Sequence, residues 1–108
     1  MPIGPKNIII HELIGLEVVV VNHSDPTLIG LRGKVVDETM KTLVLETERG
    51  EKVVPKEYGV FCFRLPDGKW TLVRGGEILF RPWERTKRGY KKFLRRKPKV
   101  FEGPCVEI

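Results

Sequence analysis

Val60-Phe61-Cys62-Phe63-Arg64-Leu65-Pro66-Asp67-Gly68-Lys69-Trp70-Thr71-Leu72-Val73-Arg74 is the stretch whose reading decides the fold. Two runs rich in β-branched and aromatic side chains flank Pro66-Asp67-Gly68-Lys69, a strong turn signal. Arms of that composition around such a turn predict an antiparallel hairpin. The residues upstream follow the same grammar. Leu16-Glu17-Val18-Val19-Val20-Val21 is β-branched and runs into Asn22-His23-Ser24-Asp25-Pro26, a cluster of turn formers. Leu31 to Glu38 reads as a second strand, with Gly33 permitting a tight bend. Thr42 to Glu48 alternates and ends at Arg49-Gly50, and Glu51-Lys52-Val53-Val54-Pro55 reads as a fourth strand. Beyond the hairpin, Gly75-Gly76 separates Glu77-Ile78-Leu79-Phe80, read as a last short strand. Six or seven short strands with short connections predict a small antiparallel barrel or a strongly bent sheet. The fold class is therefore mainly β.

Both flanks of this region read as helical. Asn7 can cap a helix over Ile8 to Ile14, closed by Gly15 in a left-handed conformation, although three successive isoleucines also suit a strand. Pro82 can occupy the first turn of a helix running from Trp83 towards Lys97, weakened by Gly89. With 108 residues there is room for one domain. It divides into an N-terminal helix (7–15), a barrel (16–80), a basic C-terminal helix (81–97) and a tail (98–108).

The formal net charge is +6, and its distribution is uneven. Residues 1–80 carry 10 Lys/Arg against 11 Asp/Glu, whereas residues 81–99 carry 10 basic residues against the single Glu84. A segregated cationic segment reads as a binding element for a polyanion. Its cations Arg81, Arg85, Lys87, Arg88, Lys91, Lys92, Arg95, Arg96, Lys97 and Lys99 are interleaved with Trp83, Tyr90 and Phe93. Cations neutralise phosphates and aromatic rings stack on unpaired bases, so RNA contact is expected from Arg81, Arg85, Lys87, Arg88, Lys91 and Lys92. Trp83 is expected to pack on the barrel. A second candidate surface is Gly30-Leu31-Arg32-Gly33-Lys34, where Arg32 and Lys34 project the same way from a strand and Lys41 and Lys56 extend the patch. The apolar set Ile8, Ile9, Ile10, Leu13 and Ile14 is expected to meet a protein partner, or else to cap the barrel's open end.

Catalytic readings fare poorly. His11 and His23 are the two histidines; the former is expected on a helix surface or interface, the latter in a turn. No phosphate-cradling glycine loop is present, and the carboxylates are scattered along strands. Cys62 is expected as a buried free thiol and Cys105 as a mobile one, with no spacing that suggests a metal site. No apolar run approaches the roughly 18 residues of a membrane span, and a cytoplasmic setting without membrane contact is the default expectation.

Several separated blocks, taken in order, resemble one family. They are His11-Glu12-Leu13-Ile14-Gly15, the run from Ser24 to Thr39, Thr42-Leu43, Val54-Pro55-Lys56, Val60-Phe61 and Arg81-Pro82-Trp83-Glu84-Arg85. They resemble the archaeal ribonuclease P protein component 1, similar to the Sm-like subunit of eukaryotic ribonuclease P and MRP, from about Asn7 to Arg88. The resemblance implies an Sm-like barrel with terminal helices and a role in maturing the 5′ end of precursor tRNA. It implies that the ribonuclease P RNA is catalytic and holds the magnesium ions, this chain binding no cofactor. It also implies a heterodimer with a small zinc-binding ribonuclease P protein subunit. A ribosome- or translation-associated SH3-like RNA-binding protein is the alternative. A nuclease in its own right and a module for an acidic protein are the remaining readings. Nothing after Lys97 matches the family pattern.

Overall fold

The computed structural model describes residues 3–88 and 90–105. Seven antiparallel strands form one sheet: β1 (Glu17–His23), β2 (Arg32–Glu38), β3 (Thr42–Thr47), β4 (Gly50–Pro55), β5 (Gly59–Arg64), β6 (Trp70–Arg74) and β7 (Val100–Phe101). The predicted hairpin is β5 and β6, paired from Val60 opposite Arg74 to Arg64 opposite Trp70. Spatial order is β4-β3-β2-β1-β5-β6-β7, so the chain returns past the first hairpins to lay β5 along β1. The sheet curls around its core without closing, and β4 and β7 stand at its two edges. Edge β4 carries Lys52 and Pro55, residue types that discourage pairing with another chain.

Two irregularities bend the long central strands. Register slips between Val20 and Asn22 in β1 and between Val35 and Asp37 in β2. A bulge shifts the alternation by one residue, so side chains beyond it exchange faces. It is these slips that turn His23 and Glu38 inward, where strict alternation from Val20 and Val35 would send them out. Gly33 serves close approach: a Cβ there would meet the Glu46 carbonyl oxygen at 2.5 Å.

The concave face of the sheet buries Val18, Val20, Val35, Leu43, Leu45, Val54, Phe61, Phe63 and Val73. Ile8, Ile9 and Leu13 seal one end of this core. The opposite face holds a smaller cluster of Val19, Cys62, Trp70 and Cys105, with Leu72 and Phe101 packed against it.

Several expectations need correction. The N-terminal helix over 7–15 is a single 3-10 turn, Ile8–Ile10, after which His11 is extended. A longer helix would have to turn part of this isoleucine run outward, and Ile8 and Ile9 are both buried. Glu77–Phe80 is not a strand; Gly75–Ile78 is a 3-10 turn. The seventh strand comes instead from the tail, where Val100 and Phe101 pair with Thr71 and Trp70 of β6. The C-terminal helix is two short pieces, α1 (Pro82–Arg88) and α2 (Tyr90–Arg95), on either side of Gly89. Finally, neither cysteine is a free thiol: Cys62 and Cys105 form a disulfide that fastens the tail across the outer face of the sheet.

Candidate functional site

Glu38, delivered inward by the β2 bulge, is the centre of a buried charged cluster. Its Oε2 accepts from Lys56 Nζ at 2.6 Å and from Arg85 Nη1 at 2.5 Å. The three side chains are almost wholly buried, at 1%, 0% and 2% exposure respectively. One carboxylate faces two cations, and backbone carbonyls take up the remaining N–H groups. Lys56 Nζ donates to Thr39 O at 2.8 Å, and more distantly to Met40 O and Phe80 O. Arg85 donates through Nε to Ile9 O at 2.7 Å, through Nη1 to Phe80 O at 2.6 Å and through Nη2 to His11 O. Burial pulls the Lys56 ammonium below its ordinary value, and Glu38 opposes that shift. Gly75 packs straight onto this site, since a Cβ there would fall 1.5 Å from Lys56 O. The cluster joins the N-terminal turn, the β2–β3 loop, the end of β4 and α1.

Lys56 and Arg85 are therefore corrected as RNA contacts. Both were expected on the surface, and both are internal because Glu38 and the carbonyls recruit them. Ile8, Ile9 and Leu13 are corrected as partner contacts: they are core residues, fully buried beside this cluster. Ile10 is half-buried against the same core, and Ile14 is 43% exposed. Trp83, expected to pack on the barrel, is 65% exposed.

The cations that remain of the basic segment stay at the surface. Arg81, Lys87, Lys91, Lys92, Arg95, Lys97 and Lys99 are exposed; the side chain of Arg88 lies outside the described residues. Arg96 belongs to the scaffold. Its guanidinium donates to Pro5 O at 2.7 Å, Leu72 O at 2.6 Å and Glu77 Oε2 at 2.8 Å, which fixes the end of α2 on the sheet. Among the described residues no carboxylate lies within ion-pair distance of the exposed cations of this segment.

Arg32 and Lys34 sit elsewhere, on a groove of about 1150 Å³ between the loop after β1, the hairpin of β3 and β4, and the end of β5. Its lining also includes Arg49, Lys52 and Arg64, which the sequence reading did not single out. Glu17 orders part of this rim: Arg32 binds it at 2.5 Å and Arg64 lies at 3.5 Å. Arg32 also lies over the Trp70 ring, 5.4 Å from its centroid. The loop that forms one wall begins at Asp25, whose carboxyl is held below its ordinary value by the Thr27 hydroxyl and N–H. Arg32 and Lys34 share β2 and were paired by their spacing, whereas Arg49, Lys52 and Arg64 come from the β3–β4 turn, β4 and β5, which no sequence spacing could have joined to them.

His23, expected in a turn or on the surface, is the last residue of β1 and is packed inward. Its Nε2–H donates to Pro55 O at 2.8 Å and its Nδ1 accepts from Asp25 N–H at 3.0 Å. Both ring nitrogens are thus occupied. Among the described residues no three His, Cys, Asp or Glu side chains converge into a metal-binding group.

With this geometry in view, the chain's relationships are plain. Residues 6–88 match the family model described as "Ribonuclease P/MRP, subunit p29". A relative from Desulfurococcus amylolyticus named "Ribonuclease P protein component 1" is 50% identical over 88 residues, which span 81% of this chain and 96% of the relative. One of the same name from Methanocaldococcus jannaschii is 49% identical over 90 residues, 82% of this chain and 94% of its own length. Among solved structures, "Structure of Mth11: A homologue of human RNase P protein Rpp29" is 43% identical with a TM-score of 0.53, covering 69% of this chain and 97% of that one. The family match ends at residue 88, before most of the exposed cations and the tail.

Proposed function

The chain belongs to the ribonuclease P/MRP subunit p29 family, and from that premise we propose that it is a non-catalytic, RNA-binding subunit of ribonuclease P. It supports the catalytic RNA in maturing the 5′ end of precursor tRNA. The observation that carries the RNA-binding part is the exposure of the C-terminal cations. Seven exposed Lys and Arg side chains stand between residues 81 and 99 without a carboxylate paired to them among the described residues. Such cations repel one another until counter-charged, and phosphates supply that charge. The groove around Arg32 and Lys34 offers a second, preordered phosphate site, because Glu17 fixes two of its guanidinium groups.

On this reading magnesium belongs to the RNA, and the cytosol is the proposed setting. The protein partner is a small zinc-binding subunit of the same enzyme. With Ile8, Ile9 and Leu13 committed to the core, Ile14 is the member of the apolar N-terminal set most open to that partner.

The test is binding to ribonuclease P RNA across a salt series, with Lys91, Lys92 and Arg95 together replaced by alanine in the comparison protein. The triple variant should bind more weakly and lose about 2 from the slope of log affinity against log salt, roughly 0.7 for each lost phosphate contact to unpaired RNA. Unchanged affinity and slope would contradict these cations as the interface. Cleavage of precursor tRNA by the chain alone would contradict the non-catalytic assignment.

A further inference from the structure

The buried cluster draws three loops to one end of the sheet, and two aromatic rings stand there in solvent. Lys56 Nζ donates to the carbonyls of Thr39, Met40 and Phe80, and Lys56 N–H donates to Lys41 O at 2.8 Å. Tyr58 follows two residues after Lys56 and is 75% exposed; Trp83 follows three residues after Phe80 and is 65% exposed. Met40, on the β2–β3 loop, adds a third exposed apolar side chain. Lys41 and Arg81, one on each neighbouring loop, are exposed, and Lys87 lies one helical turn beyond Trp83.

Tyr58 is also the one non-glycine residue with a positive φ among those described, at 64°. A bulky side chain is disfavoured there, and glycine or asparagine would meet the turn at lower cost. The adjacent Gly59 cannot exchange roles with it, since a Cβ at Gly59 would lie 2.6 Å from the Phe61 ring. The Tyr58 ring recovers none of that cost inside the chain. Among the described residues neither a hydrogen bond nor a ring contact engages it. The other tryptophan, Trp70, is 4% exposed, so Trp83 remains outside although the fold can bury an indole.

We infer that Tyr58 and Trp83 are stacking positions for unpaired RNA bases, with Lys41, Arg81 and Lys87 holding the intervening phosphates. This inference rests on the RNA-binding reading above and adds to it a ligand class, single-stranded RNA, and a place on the molecule. Exposed aromatic rings set among cations suit a strand whose bases are free to stack and whose backbone needs neutralising. A protein partner would be expected to leave fewer unpaired cations around such rings.

The experiment measures binding of an unstructured oligouridylate and of an RNA duplex to the full chain. The variants are Tyr58→Gly, Tyr58→Phe, Trp83→Ala and the Lys91, Lys92, Arg95 alanine variant. Tyr58→Gly and Trp83→Ala should each weaken oligouridylate binding about fivefold or more while duplex binding changes less than about twofold. Tyr58→Phe should bind as the parent does. Tyr58→Gly also relieves the backbone, so its melting temperature should not fall, which separates lost stacking from lost folding. Oligouridylate affinity unchanged in both ring variants, but reduced in the lysine–arginine variant, would overturn the stacking sites and leave the RNA-binding reading standing. Failure of the parent protein to bind either RNA would overturn both. Ring variants that keep RNA affinity but lose a ribonuclease P protein subunit would make this end a protein interface and overturn the inference.

Discussion

Glu38 shows how one inward carboxylate can organise the loops around it. Its oxygens fix Lys56 and Arg85, and through them the loops that present Arg81, Trp83 and Tyr58. Removing one partner from a buried ion cluster strands the others without compensation. Glu38→Gln should therefore destabilise the chain by about 3–5 kcal/mol in thermal or denaturant unfolding. Arg85→Ala should also fail by unfolding, since it deserts Glu38 and the carbonyls of Ile9, His11 and Phe80. Any RNA-binding variant that includes Arg85 will confuse lost contact with lost structure. His11 gives a pH prediction. Its Nε2 is buried without a hydrogen-bond partner among the described residues, and desolvation lowers its pKa below 6.5. The unfolded chain then binds more protons, so stability is full above pH 6.5 and declines as pH falls towards the lowered value. His11→Gln should flatten the melting temperature across that window; an unaltered decline would refute this role. None of this was legible from residue types. Lys56 and Arg85 look like surface cations, and the bulge that turns Glu38 inward leaves no mark in the alternation pattern.

At the scale of elements, the strands were readable because alternation and turn chemistry are local. The hairpin of β5 and β6 lies where Pro66-Asp67-Gly68-Lys69 places it, and β2, β3 and β4 each depart from expectation by one residue at one end. The ends were not readable, because tertiary contacts shape them. The isoleucine run becomes one 3-10 turn under burial, and the tail becomes a strand because the edge of β6 is open to it. The Cys62–Cys105 link spans 43 residues and was invisible to a reading that treated the tail as free. Closing a loop of that size stabilises by about 2–4 kcal/mol in the chain-entropy picture. Cys105→Ser or a reductant should lower the melting temperature accordingly and speed amide exchange along β6, where Thr71 Oγ1 also donates to Lys99 O. Exchange rates unaltered by reduction would show that β7 holds its place without the bond.

Across the whole molecule, the segregation of charge was the sequence feature with the longest reach. It marked residues 81–99 as the cationic segment on which the RNA-binding proposal rests, although Arg85 and Arg96 prove to be internal struts. The sequence paired Arg32 with Lys34, but their grouping with Arg49, Lys52 and Arg64 emerges only from the fold, since β2, the β3–β4 turn, β4 and β5 contribute to the groove. The most direct test of the central claim is reconstituted cleavage of precursor tRNA by ribonuclease P RNA and its protein subunits, with this chain present, omitted, or alone. The subunit reading predicts that activity at modest magnesium falls sharply on omission and that the chain alone leaves the substrate intact. Activity unchanged on omission, or cleavage by the chain unaided, would contradict it.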